Sequence, residues 1–195
     1  MDRLRSPGGC PWDALQTHRS LARYLVEETY EVLEAIETEN MVLLREELGD
    51  LLLQVLFHAR IAAERSDGTA FTIEEIARDL TDKLVRRHPH VFADATIGSA
   101  EEQNESWERL KITEKGRTSA VDGVPLAQPA LALAAKLVNR AHRTGLDVQP
   151  DSDDPYGERL FAVVTDAVAA GVDPEAALRH TARAYRAAIR AAEVE

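Results

Sequence analysis

The chain has 195 residues and carries 34 acidic against 23 basic side chains, a net charge of −11. That balance excludes a general nucleic-acid binder, which needs a basic surface. It leaves room for small phosphorylated ligands that arrive with their own metal. Hydrophobic residues make up 45% and aromatics only 5%, which fits a helix-rich globular chain and excludes a disordered one.

The first nine residues, MDRLRSPGG, lack the apolar region of a signal peptide. Residues 6–13, SPGGCPWD, hold two prolines and two glycines without periodicity and predict a loop, which Trp12 anchors on the helices that follow. Cys10 is the single cysteine, so no internal disulfide forms, and nothing beside it in sequence activates it. No run approaches the roughly 18 apolar residues of a membrane span. Together these features predict a reducing cytoplasm.

Residues 17–38 and 41–65 predict two helices joined by a turn near Glu39-Asn40. The first carries Glu27, Glu28 and Glu31; the second carries Glu46, Glu47 and Asp50. A spacing of three puts Glu28 with Glu31, and Glu47 with Asp50, on one helix face each. If the helices fold back antiparallel, the two pairs meet within about one turn of each other, at about 1.5 Å rise per residue. Leu21, Leu25, Val32 and Ile36 form the apolar stripe of the first helix, with Glu28 in line. Leu44, Leu48, Leu51 and Val55 form that of the second, bordered by Glu47. Acids beside a buried face are costly without a compensating charge. Magnesium, or manganese in its place, supplies it, since hard divalent cations prefer oxygen ligands. An ordinary solvated acidic surface is the bland alternative.

Further along, Thr72 and Glu75 form a capping box that opens a helix running to Arg87, where Pro89 stops it. Lys83, Arg86 and Arg87 close this helix, either as cations suited to a helix C-terminus or as a grip on phosphate oxygens. His88-Pro89-His90 reads as a loop with ordinary hydrogen-bonding histidines. Ser99 to Glu102 is a second capping box, opening a helix to Lys115 with Gln103, Trp107 and Lys111 along one face. Trp107 and Lys111 hold a base and a phosphate, or they are a packed tryptophan with a snorkelling lysine. Helices follow over 130–144, 156–170 and from 174 nearly to the end, with no convincing strand anywhere. The fold class is all-α. Two helices cannot bury such stripes alone, so helical hairpins must be covered by further helices in a bundle-type core.

Glu27-Glu28-x-x-Glu31 followed by Glu47-Leu48-Gly49-Asp50 resembles the signature of MazG-family nucleoside triphosphate pyrophosphohydrolases. GCPWD at 9–13, EELGDLLLQVLFHARIA at 46–62, DKLVRRHPHVF at 82–92 and WERLKITEK at 107–115 are similar to the family as well. The resemblance covers about residues 3–116. It implies magnesium-dependent hydrolysis of nucleoside triphosphates to the monophosphate and pyrophosphate, with metal held by Glu28, Glu31, Glu47 and Asp50. It implies nucleotide contacts from the segment that holds Lys83, Arg86 and Arg87 and from Trp107, and a homodimer (or a tetramer) whose hairpins pack into four-helix bundles. Glu27 adjoins the ligands and is a catalytic candidate. Clearing aberrant nucleotides is the family-level role.

The resemblance divides the chain into a catalytic domain over 1–116, a linker over 117–129 and a second helical repeat over 130–195. In the repeat, Gly157-Glu158 stands where Gly49-Asp50 stands in the first copy. Too few residues precede it for an EExxE helix, so the repeat is expected to be degenerate and without metal. Two rival classes remain on sequence. A di-iron carboxylate protein would want Glu-x-x-His pairs, and His58 is preceded at that spacing by Val55. A nucleotide sensor without catalysis would use the same fold, and the intact acid set argues against it.

Overall fold

The computed structural model describes residues 1–96, 98–99, 102–103, 106–107, 110, 114, 116 and 118–193. Among these there are helices and turns and no strand, so the all-α class holds. The chain divides into two compact units, Met1–Glu102 and Gln103–Glu195.

A long antiparallel hairpin dominates the first unit. Helix α3 (His18–Glu37) starts at a capping box in which Thr17 and Ser20 each accept the other's backbone N–H. It ends in a Schellman arrangement: Glu39 N–H reaches Ile36 O and Asn40 N–H reaches Ala35 O. Glu39 takes a left-handed backbone there, φ +52°. Asn40 then caps α4 (Met41–Ala63) by accepting the Leu43 N–H at 3.1 Å. The chain therefore reverses within three residues, and α3 and α4 pack along their lengths.

The buried residues of the hairpin differ from the expected stripes. Leu21 and Val32 are buried with Ala35 on α3; Gln54, Phe57, Ala59 and Ala62 are buried on α4. Leu25, Ile36, Leu48 and Val55 remain exposed. Two round helices touch along a narrow seam, so a broad stripe is only partly covered by one partner.

The predicted loop over 6–13 also needs correction. Before it lies α1 (Asp2–Arg5), and within it begins α2 (Pro11–Leu15). Pro11 occupies the first turn of α2, where its missing N–H costs nothing. Gly9 lets the backbone double back, since a Cβ there would lie 2.3 Å from the carbonyl oxygens of Arg3 and Leu4. Trp12 anchors this segment, its ring edge-on to Tyr24 and Phe57 at 6.0 and 6.4 Å. Arg5 pins it from the other side through a two-pronged ion pair with Glu64.

Helix α5 (Ile73–Arg87) opens on the expected Thr72–Glu75 capping box and packs against α4. His88-Pro89-His90 is not a loop: His88 precedes a short helix α6 (Pro89–Phe92), again with proline in the first turn. Ser99 accepts the Glu102 N–H as predicted, but the Glu102 carboxylate accepts from Gly98. Most of the helix expected over 99–115 lies outside the described residues.

The second unit contains α7 (Ala130–Arg143), α8 (Pro155–Ala169) and α9 (Pro174–Ala192). Asp154 and Asp173 cap α8 and α9, each followed by proline in the first turn. Residues 118–129 form turns, held where Asp122 accepts the N–H groups of Thr118 and Ser119 at 2.9 Å. Val138 on α7 and Val164 on α8 are buried where these helices pack.

Candidate active site

The hairpin turn sets the heights of the acidic side chains. Carboxylate oxygens of Glu28 on α3 and of Glu47 and Asp50 on α4 lie within 4.8 Å of one another, each residue half-buried. Among the described residues this is the cluster of three or more His, Cys, Asp or Glu close enough to share a metal ion. Glu31 is exposed and stands outside that radius, but its carboxyl shares a hydrogen bond with Glu28. Glu27 is exposed, about 100° round the helix from Glu28, and takes no part in the cluster.

The electrostatics follow from that crowding. The Glu28 carboxyl is pushed up to about 7, first by burial, then by the hydrogen bond to Glu31 and the charges of Glu31, Asp50 and Glu47. Glu47 is raised too, by burial and then by Glu31, Glu46 and Asp50. Like charges held this close cannot all ionise without a cation between them. The donor set is oxygen only, which suits Mg²⁺ or Mn²⁺ over zinc or copper. The residues thus fit a hard divalent cation.

The other predicted residues belong to other elements. Lys83, Arg86 and Arg87 occupy the last turns of α5, with Lys83 and Arg87 half-buried and Arg86 exposed. Trp107 belongs to the second unit and is half-buried. Lys111 lies outside the described residues.

Two features escaped sequence reasoning. Gln54 is buried on α4, one turn beyond Asp50, and its Oε1 has no hydrogen-bond partner. A lone glutamine inside LLLQVLF was the available signal. His58 stacks on His18 with ring centroids 5.0 Å apart and Nδ1 atoms at 2.7 Å. His58 is held below the ordinary histidine range, by burial first and then by His18. That pair lies at the far end of the hairpin, since His18 precedes Glu28 by ten residues, about 15 Å of helix.

Comparison with known proteins gives the same residues a context. Residues 16–92 match the MazG nucleotide pyrophosphohydrolase domain, a span that holds all four acids and α5. The chain is 42% identical to the nucleoside triphosphate pyrophosphohydrolase/pyrophosphatase MazG of Thermotoga maritima, over 95% of this chain and 79% of that protein. It is 44% identical to the nucleoside triphosphate pyrophosphohydrolase of Escherichia coli K12, over 89% of this chain and 67% of that one. An uncharacterized 26.1 kDa protein from the blaB 3′ region of Streptomyces cacaoi is 52% identical over 99% of this chain and 79% of its own length. Similarity over most of this chain at these identities, with the acid cluster inside the matched domain, places the chain in the MazG family of nucleotide pyrophosphohydrolases.

Proposed function

We propose that this protein hydrolyses nucleoside triphosphates, ribo or deoxy, to the monophosphate and pyrophosphate, using Mg²⁺ held by Glu28, Glu31, Glu47 and Asp50. The single observation that carries the reading is the convergence of Glu28, Glu47 and Asp50 within 4.8 Å. Bound there, a divalent cation neutralises phosphate charge and makes water more acidic. Mn²⁺ is the substitute with the same oxygen preference.

The protein's own groups account for the rest. Glu27, exposed beside Glu28, takes the proton of the attacking water. The water oxygen bonds to the α-phosphorus as the bond to the bridging oxygen of pyrophosphate breaks. Lys83, Arg86 and Arg87 on α5 stabilise the charge that grows on the leaving phosphates. Trp107 and Lys111 contact the nucleotide.

The 1–116 segment is the catalytic domain in this reading, 117–129 the linker, and 130–195 a degenerate repeat without metal. The short α8, starting at Pro155 just before Gly157, supports that view. No second acid cluster of metal-binding dimensions occurs among the described residues. Leu48, Leu52 and Val55 share one exposed face of α4 at i, i+4 and i+7. This supports a homodimer, or a tetramer of two such pairs, whose second copy covers that face. A cytoplasmic role in clearing aberrant nucleotides fits such chemistry.

Product analysis tests the reaction. Purified protein is incubated with a panel of NTPs and dNTPs plus Mg²⁺, and products are resolved by anion exchange. Monophosphate with pyrophosphate, absent for Asp50→Ala, is the expected result. Diphosphate with phosphate would place the attack at the γ-phosphorus and overturn the mechanism. Tight metal-dependent binding without turnover would make the protein a nucleotide sensor.

A further inference from the structure

Gln54 lies one turn past Asp50, about 6 Å along α4. It is 5% exposed, and its Oε1 is buried without a partner. Leaving such an acceptor unpaired is unfavourable, because its bond to water is lost and not replaced. Packing alone does not ask for an amide here: Leu51, Val55 and Phe57 around it in sequence are apolar, and methionine fills nearly the same volume.

Side chains on a helix lean toward its N-terminus. On α4 that direction runs from Gln54 toward Asp50 and Glu47. On the antiparallel α3 it carries Glu28 toward the level of Gln54. Gln54, Asp50 and Glu47 stand at i, i−4 and i−7 and share one face of α4, so this lean brings the Gln54 amide toward the acid cluster. Carboxylates ionised around a bound cation have no proton to offer the amide oxygen. The water shell of a hydrated divalent cation offers several.

We propose that Gln54 is a positioning residue of the metal centre, its Oε1 accepting a hydrogen bond from the hydration water of the cation held by Glu28, Glu47 and Asp50. The inference rests on the metal-centre reading above. Outer-shell groups of this kind fix the orientation of what the inner ligands hold, and their loss typically weakens metal affinity by 10–100-fold.

The test uses the full chain without nucleotide. Free Mn²⁺ is followed by electron paramagnetic resonance during titration of wild type, Gln54→Met, Gln54→Glu and Asp50→Asn. Urea unfolding of each metal-free protein is measured alongside. Gln54→Met is expected to bind Mn²⁺ about 10–100-fold more weakly, with a metal-free midpoint equal to or above wild type. Gln54→Glu keeps an acceptor oxygen and is expected to retain affinity. Wild-type affinity in Gln54→Met overturns the inference alone. So does equal loss in both Gln54 variants, or a loss in Gln54→Met matched by a collapse of its metal-free stability. Failure of the wild type itself to bind Mn²⁺, with Asp50→Asn no different, overturns the metal centre and this inference with it.

Discussion

Glu28 on α3 and Asp50 on α4 bring carboxylate oxygens within 4.8 Å across the hairpin seam, and the Asp50 charge is one of those that make Glu28 harder to ionise. Arrangements of this kind store repulsion that a cation releases. The metal-free protein therefore carries a local instability at the place where its chemistry is proposed to occur.

That instability has a pH signature. The folded Glu28 titrates near 7 against an ordinary 4.5. Between those values the folded state binds more protons than the unfolded state, so stability falls as pH rises from about 4.5 to 7. The effect is on the order of 1–2 kcal/mol after discounting for solvent. Urea midpoints of the metal-free protein at pH 5 and pH 8 measure it, and Glu28→Gln should flatten this component. His58 works the opposite way, since its lowered pKa costs stability as pH falls through 6.5. A His58→Asn background separates the two.

Asp50→Ala should abolish turnover and leave the metal-free fold intact or firmer. Removing one acid from a repulsive cluster relieves Glu28 and Glu47, both raised in part by Asp50. Circular dichroism melting beside the product assay checks this. A variant that unfolds would show that Asp50 has a packing role.

Arg5→Ala should destabilise the protein by about 1.5–3 kcal/mol, the range for hydrogen bonds to charged groups, since the Glu64 side chain keeps 36% of its surface in water. The Arg5 side chain is 5% exposed, bonds both Glu64 oxygens at 2.9 and 2.7 Å, and holds the Gln16 carbonyl at 3.1 Å. Its guanidinium also lies 5.6 Å from the Phe57 ring centroid. Denaturant unfolding reads the loss directly. A change below about 0.5 kcal/mol, the range of ordinary surface substitutions, would mean the N-terminal helices are not integral to the first unit.

Leu52→Glu should weaken the proposed homodimer. Leu48 and Leu52 are about half exposed, at 49% and 55%, and a charge on a covered apolar face is costly. Sedimentation of wild type and variant at micromolar concentration decides the matter. A monomeric wild type would refute the homodimer.

Glu158→Ala should leave turnover at the wild-type level. In the proposed repeat Glu158 of α8 takes the place of Asp50, and it is exposed. A large loss of activity would mean the second repeat is not degenerate.

Much of this was legible before any coordinates. The start of α5 was written locally, since Thr72 and Glu75 cap it as expected from three residues apart. The acid pairs were legible because a spacing of three fixes a shared face and a tight turn fixes relative height. The loop over 6–13 was misread because its helices are short. They depend on distant partners, Glu64 for Arg5 and Phe57 for Trp12.

What the chain order could not decide was which residues of each stripe face inward. A periodic pattern marks a face about 100° wide, and a single partner helix covers only part of it. Tertiary packing chose Ala35 and Gln54 for the buried set and left Ile36 and Leu48 outside. It also separated Glu28, Glu47 and Asp50 as a compact cluster from Glu31 beside it. Distances between side chains on different helices depend on the crossing of those helices, and no local spacing encodes that.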